Sequence, residues 1–386
     1  MDGKMLARVG AVVFVAGAVT ATAIEMTRKE EPPELWPSGR ATQSQSDPLR
    51  DELIRCQALG EAGPRPDTAG KTLLENDAIR LWTLDDEIVI ATLKTKMRAI
   101  SPDAGEGLAQ AVEMAESDYQ GLVIWPGDDP FSVGADLQAM LPGYVAGGAG
   151  LVDSMEKELQ EMMLRLRYAN VPVVSAIRGM ALGGGCELAV YSSRRVAAME
   201  SYMGLVEVGV GLVPGAGGLA YLARRAAENA QASTDKDLLH FLTDGFTAAA
   251  MAKVGMSALD SRKLGYLLWS DVIVPHKDEL LYVAINEAKA MYRAGYRPPM
   301  KRQFAVAGRD GKATIQGQLV NMRDGGFISQ HDFYVSSLIA NVLTGGEVDP
   351  GTLVDEEYLM TLERHWPGLT VSACPVNYFG VAADCW

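Results

Sequence analysis

Two apolar runs, Ile79–Leu84 (IRLWTL) and Ile88–Leu93 (IVIATL), flank the acidic turn Asp85-Asp86-Glu87 and predict a β-hairpin. The pattern then takes a helical period. In SPDAGEGLAQAVEMAES, Ser101 stands as N-cap and Pro102 at the first helical position, with Leu108, Val112 and Ala115 on one face. Gly121–Trp125 (GLVIW) reads as a short apolar strand, and Asp128–Met140 (DDPFSVGADLQAM) as a further strand, turn and helix. A glycine-rich loop, LPGYVAGGAGLV, leads to a helix whose Met155, Leu159, Met162 and Leu166 form a core stripe. Val171–Ile177 (VPVVSAI) is another buried strand and runs toward MALGGGCELAV. Strands alternating with helices predict an α/β architecture with parallel pairing. Beyond Leu219 the pattern turns mostly helical, as in DELLYVAINEAKAMYRAG and HDFYVSSLIANVL.

The two ends carry other patterns. Val9–Ile24 (VGAVVFVAGAVTATAI) has no charge, follows Lys4 and Arg8, and precedes Glu25, Glu30, Glu31 and Glu34. It reads as a membrane anchor or a signal, with ATA at 21–23 as a cleavage site, against a buried helix as the plainer reading. The charge bias would leave the N-terminus in the cytoplasm and the following chain outside. Residues 30–50 are rich in Pro, Ser and Gln and read as a linker. At the other end TLVDEEYLMTLER reads as a helix, Pro367 stops it, and the last residues lose the charge pattern. The chain thus divides into an anchor or signal-like segment (1–29), a linker with a short helix (30–71), an α/β core (72–265), a helical region (266–364) and an atypical tail (365–386). A frame change or fusion at the tail, and near residues 64–71, is the hypothesis these breaks suggest.

A formal charge of −14 without a basic cluster argues against a nucleic-acid surface. Four scattered cysteines include no C-x-x-C pair, and four distant histidines have no ligand spacing, so no metal is expected. Cys374 and Cys385 would pair only in an oxidising compartment.

The candidate chemistry lies in three glycine-rich corners. Gly183, Gly184 and Gly185 join a strand to a helix that carries Glu187 into an apolar run. Such glycines either let helix and strand pack closely or leave backbone N–H groups open to an anion or a developing oxyanion. Twenty residues on, GLVEVGVGLVPGAGG places Glu207 in a second apolar setting. An isolated carboxylate there is costly as structure, whereas two together serve as an acid/base pair.

FSVGADL, VPVVSAIRGMALGGGCELAV and MGLVEVGVGLVPGAGG together resemble the enoyl-CoA hydratase/isomerase (crotonase) superfamily. SALDSRKLGYLLWSDVIVPHKDEL resembles a later part of that family, and the likeness runs from about residue 72 to 364. More narrowly, KTKMRAISP and GQLVNMRDGGFISQHDF resemble the hydratase half of bacterial bifunctional 3-hydroxyacyl-CoA dehydrogenase/enoyl-CoA hydratases. Residues 1–63 resemble a TrbK-type conjugal-transfer exclusion protein, a small membrane family without catalytic chemistry.

The resemblance implies a crotonase-like spiral of ββα units with a helical C-terminal region. It implies an oxyanion hole from the N–H groups of Ala135 and Gly184, acid/base work by Glu187 and Glu207 on one water, and orientation of that water by Gly215. The reaction implied is hydration of a trans-2-enoyl-CoA to a 3-hydroxyacyl-CoA in fatty-acid β-oxidation. No cofactor is implied beyond the coenzyme A of the substrate. Lys94, Lys96 and Arg98 either meet the CoA phosphates or are solvated surface charge. Many hydratases carry Gln-Pro where Leu205-Val206 stand here, which puts the shape of the acyl pocket in question.

Gly215–Ala220 (GAGGLA) also satisfies G-x-G-x-x-A, yet lacks a preceding strand with βαβ spacing, so NAD binding and dehydrogenase activity are not expected. A homo-oligomer, a trimer or a dimer of trimers, is expected by resemblance. A cytoplasmic catalytic domain is expected too, with membrane association through residues 9–24 if they insert. Two other readings stand beside this one. One is a double-bond isomerase needing only Glu207, and the other a membrane-anchored exclusion-type peptide fused to an inactive passenger.

Overall fold

Seven strands form one sheet in the order of their sequence, because each strand that leaves it returns beside its predecessor. β1 (Lys71–Glu75), β2 (Ile79–Thr83) and β3 (Ile88–Leu93) are antiparallel, and the acidic turn joins β2 to β3 as the sequence predicts. From β3 onward, β4 (Gly121–Ile124), β5 (Val173–Leu182), β6 (Arg194–Gly204) and β7 (Val272–Val274) pair in parallel. The computed structural model describes residues 70–136, 149–234 and 236–365. The apolar segment 9–24, the linker and the tail after His365 lie outside the described residues. Among the described residues no helix is long and apolar enough to cross a membrane.

Both faces of the parallel strands are covered, which explains their nearly unbroken apolar runs. Side chains alternate between the two faces. Val89, Ala91, Leu122, Ile124, Val173 and Ile177 enter one core. Ile88, Ile90, Val123, Val174 and Ala176 enter a second. The first core is packed by α1 (Pro102–Asp118), α2 (Ala149–Arg167), α3 (Gly184–Val190) and α4 (Gly218–Ala232). It extends to α5 (Leu238–Ala250) and α6 (Ala258–Lys263), which also lie between β6 and β7. The second core is closed by α7 (Leu280–Arg293) through Leu280, Leu281, Ala284, Ile285 and Ala288. Beyond it come α8 (Gly308–Asp324), α9 (Gln330–Leu343) and α10 (Glu356–His365), with a two-stranded pairing of β8 (Phe304–Ala305) and β9 (Leu353–Val354).

Local signals act as the sequence predicts in α1. Ser101 accepts a hydrogen bond from the Ala104 N–H at 3.2 Å, Pro102 opens the helix, and Leu108, Val112 and Ala115 are fully buried. Ser101→Ala is therefore expected to lower the unfolding free energy by about 1 kcal/mol, read from thermal melts of the parent and the variant. An undiminished melting temperature would show that this cap adds nothing.

Two expectations need correction. Asp128–Asp136 do not form a strand. They run as an irregular segment that makes only isolated bridges, Ser132 to Ala181 and Ile100 to Ala135, because the segment is squeezed between β5 and residues 97–100. The helix expected to follow, through Met140, lies outside the described residues. The second correction concerns length. β5 does not end at Ile177 but shifts register before Gly179 and continues beside β6 to Leu182, carrying the glycine corner beyond the body of the sheet.

Candidate active site

The site assembles where β5 and β6 run out. At the end of β5, Gly183 takes φ +54° and ψ −127°, a conformation that side chains of L-residues disfavour. A Cβ there would also sit 3.0 Å from Glu207 Oε1. The turn lets Gly184 open α3, so its N–H has no acceptor within the helix.

Against this corner lies the segment that carries Ala135. Ser132 accepts from the Leu182 N–H at 2.9 Å and donates its own N–H to Met180 at 3.1 Å. Its hydroxyl donates to the Arg98 carbonyl at 2.8 Å, and the Ile100 N–H donates to Gly134 at 2.8 Å. An ideal Cβ on Gly184 would lie 3.3 Å from the Ala135 nitrogen, so the two N–H-bearing corners face each other closely. These are the two backbone groups that the family resemblance would pair as an oxyanion hole.

Glu187 projects from α3 into a 2% exposed position. Its Oε1 accepts from the N–H groups of Gly218 at 2.7 Å and Ala216 at 3.0 Å. Burial pushes its carboxyl up to about 7, and the two N–H donors hold it from going further. Glu207 opens a short 3-10 turn, Glu207–Val210, just after β6. Burial and then the nearby Glu187 charge push it up to about 8. Its Oε2 is buried and has no hydrogen-bond partner among the described residues. The pair titrates as a unit, because two carboxylates in one apolar chamber resist ionising together.

These shifts fix the sign of a pH effect on stability. In the unfolded chain each carboxyl gives up its proton near its ordinary value of 4.5, whereas the folded pair holds protons to about 7 and 8. The folded state binds more protons between those limits, so stability falls as pH rises through the window. Glu207→Gln is expected to flatten that fall in a series of melting curves. A variant that keeps the parent's slope would overturn it.

The structure also brings in carboxylates that the sequence reading missed. Glu363, from α10, is fully buried and accepts from the Gly217 and Ala220 N–H groups, both at 2.7 Å. Burial and the Glu187 charge push it well above the ordinary range. Glu156, on α2, lies against Gly215 and is likewise raised, by burial first and Glu187 second. Its neighbour Gln160 donates to the Gly215 carbonyl at 2.6 Å and the Met360 carbonyl at 3.0 Å. A faint signal existed. Glu156, Gln160 and Met163 share a helix face, as do Leu359, Met360 and Glu363, but polar residues on a core stripe do not announce what they meet.

The glycine turn Gly215–Ala220 is consumed by this arrangement. The N–H groups of Ala216, Gly217, Gly218 and Ala220 are all held by Glu187 or Glu363, and a 3-10 turn rather than a strand precedes it. A dinucleotide pyrophosphate needs such N–H groups free.

The candidate CoA contacts differ in how they are engaged. Lys94 pairs with Glu75 Oε1 at 2.8 Å and the Asn76 carbonyl at 2.7 Å, a structural engagement. Arg98 donates Nε–H to the Pro126 carbonyl at 2.9 Å. Lys96 is exposed. Cys186, buried between Gly185 and Glu187, has its thiol pushed well up by burial and is no nucleophile. No cluster of metal-ligating side chains occurs among the described residues.

Comparison with known proteins gives two family matches. Residues 85–256 match the enoyl-CoA hydratase/isomerase family, and residues 1–70 match the conjugative transfer region protein TrbK family. A Bacillus subtilis protein named probable 3-hydroxyacyl-CoA dehydrogenase is 37% identical over 311 residues, covering 81% of this chain and 38% of that protein. A fatty acid oxidation complex subunit alpha from Acinetobacter baumannii is 34% identical over 149 residues, covering 37% of this chain and 21% of that protein. The chain thus spans well under half the length of the relatives it matches. An enoyl-CoA hydratase structure from Bacillus anthracis aligns over 69% of this chain and 90% of its own, at 19% identity and a TM-score of 0.42.

Proposed function

Residues 85–256 carry an enoyl-CoA hydratase/isomerase family domain, and on that premise we propose that the protein adds water to trans-2-enoyl-CoA thioesters, giving 3-hydroxyacyl-CoA. The observation that carries this reading is the buried Glu187 together with Glu207, whose Oε2 is buried and unpartnered among the described residues, beside two facing backbone corners at Ala135 and Gly184.

Addition of water across a conjugated thioester builds negative charge on the thioester oxygen. The N–H groups of Ala135 and Gly184 would meet that charge. Water must lose a proton as its oxygen bonds to C3, and C2 must gain one. Glu187 and Glu207, held near neutrality, suit proton exchange in both directions near neutral pH. Hydration is redox-neutral, so the step needs no oxidant or reductant. Lys96 is exposed, whereas Lys94 and Arg98 are engaged within the fold, so of the three basic residues it is the one we assign to a CoA phosphate.

One observation favours isomerisation as a second activity. Glu187 is tied down by two N–H donors, whereas Glu207 keeps a free oxygen and by itself could move a proton between C4 and C2. The test offers the full chain crotonyl-CoA and follows loss of the conjugated enone absorbance. Turnover that depends on Glu187 and Glu207 supports the hydratase. No turnover overturns it, and 3-to-2 isomerisation surviving in Glu187→Gln would support the isomerase instead.

A further inference from the structure

Glu156 has no role in the two-carboxylate scheme, yet it lies against Gly215, in the turn whose Ala216 and Gly218 N–H groups Glu187 holds. It stands one helical turn before Gln160 on the inward face of α2. Gln160 is fully committed, to the Gly215 and Met360 carbonyls and to the Arg364 guanidinium at 2.6 Å. Glu156 is not. Its Oε1 lies 2.9 Å from where a Gly215 Cβ would stand, so it fills the space of that missing side chain. Its Oε2 is buried and has no hydrogen-bond partner among the described residues.

Burying an unpaired acid is costly, and an aliphatic side chain would fill the same space without that cost. The nearby cation does not answer it. Arg364 gives one N–H to Gln160, and its buried Nε, 3.7 Å from Asp153 Oδ1, makes no hydrogen bond among the described residues, to Glu156 included. The charged groups facing Glu156 are Glu187 on α3, Asp153 on its own helix, and Glu363 and Arg364 on α10. Burial first, and then the Glu187 and Asp153 charges, push the Glu156 carboxyl well above its ordinary range against the opposing charge of Arg364. A protonated carboxyl has one O–H to donate.

The place of that donor is specific. Gly215 precedes Ala216, whose N–H is held by Glu187, so the Glu156 carboxyl packs one peptide unit away from a contact of the Glu187 carboxyl. Glu207, coupled to Glu187 by charge, carries the other orphaned carboxyl oxygen of this region. Glu156 and Glu207 each carry a buried oxygen without a partner among the described residues, and each feels the Glu187 charge, which calls for a small polar group near Glu187.

We propose that Glu156 is a third acid of the candidate active site, donating a hydrogen bond from its free oxygen to the oxygen that Glu187 and Glu207 handle. That oxygen is water in one direction and the 3-hydroxyl of the product in the other. Glu156 forms and breaks no covalent bond in this role. The proposal rests on the hydratase reading above.

The test measures steady-state hydration of crotonyl-CoA by the full-length parent, Glu156→Leu and Glu156→Gln. Removing the donor should lower kcat about tenfold, the worth of one hydrogen bond, with KM little changed because the thioester is held elsewhere. The glutamine amide still donates, so Glu156→Gln should stay within about threefold of the parent. The acid limb of its pH profile should not move, since a neutral group replaces a neutral group. A leucine variant with the parent's kcat, or a glutamine variant as poor as leucine, overturns the proposal. A limb displaced to lower pH in Glu156→Gln also overturns it, by showing that Glu156 acts as a charge, and this readout stands even if the leucine variant does not fold. An active parent with an indifferent Glu156 sinks this inference alone, whereas an inactive parent sinks the hydratase reading with it.

Discussion

Glu187→Gln is expected to lower kcat for crotonyl-CoA hydration by about a hundred- to ten-thousandfold, the range for loss of a positioned acid/base. The amide keeps the shape of the carboxyl and can still accept from the Ala216 and Gly218 N–H groups, so the turn at Gly215–Gly218 should hold. What it loses is the exchangeable proton. Glu207→Gln should fall as far, by the same logic, with its buried Oε2 replaced by a group that cannot take a proton from water. Stability should move the other way. Each variant removes a carboxyl that the interior resists charging, so its melting temperature at pH values above about 7 should match or exceed the parent's. Activity that survives either change would end the two-carboxylate scheme. A joint fall in activity and melting temperature would instead mean that the turn had collapsed.

Gly134→Ala is expected to cost about a hundredfold in kcat, the scale seen when one oxyanion donor is lost. Gly134 sits at φ +93°, and a Cβ there would lie 2.7 Å from the Gly184 nitrogen and 3.0 Å from the Leu182 carbonyl oxygen. Both atoms are backbone, held by the bonds between Ser132 and β5, so neither yields as a flexible side-chain tip would. The intruding methyl must push the Ala135 and Gly184 corners apart. Binding of an acyl-CoA product analogue, measured by calorimetry, should weaken far less than turnover, because charge on the thioester oxygen develops mainly in the transition state. Unchanged turnover would show that these two N–H groups do not act together.

The two variants probe parts of the site that were legible to different degrees. The Gly183–Gly185 corner and Glu187 stand in one short stretch, where strand, glycines and helix leave a local imprint. Glu207, in a second apolar setting, could be suggested as its partner but not placed beside it, since twenty residues of sequence say nothing about which side chains meet. The strand expected at the start of Asp128–Met140 fails for a related reason. Its apolar residues follow no face of the sheet, and its backbone bonds go to Met97, Ile100 and β5 instead. Glu156 and Glu363 were invisible as site residues, because each looks like an ordinary helix charge until the fold buries it.

By itself the sequence determined the hairpin and its acidic turn, the Ser101 cap, the alternation of strands and helices, and the glycines at the ends of β5. All of these rest on interactions within a few residues: side-chain period, steric limits on φ, and unpaired backbone groups at element ends. Tertiary structure alone decided that α10 sends Glu363 to the Gly217 and Ala220 N–H groups, and that Glu156 takes the space beside Gly215. It also raised four carboxyls above their ordinary range. The physical reason is burial. Loss of water around a charge depends on every element packed over it, and no local pattern carries that sum.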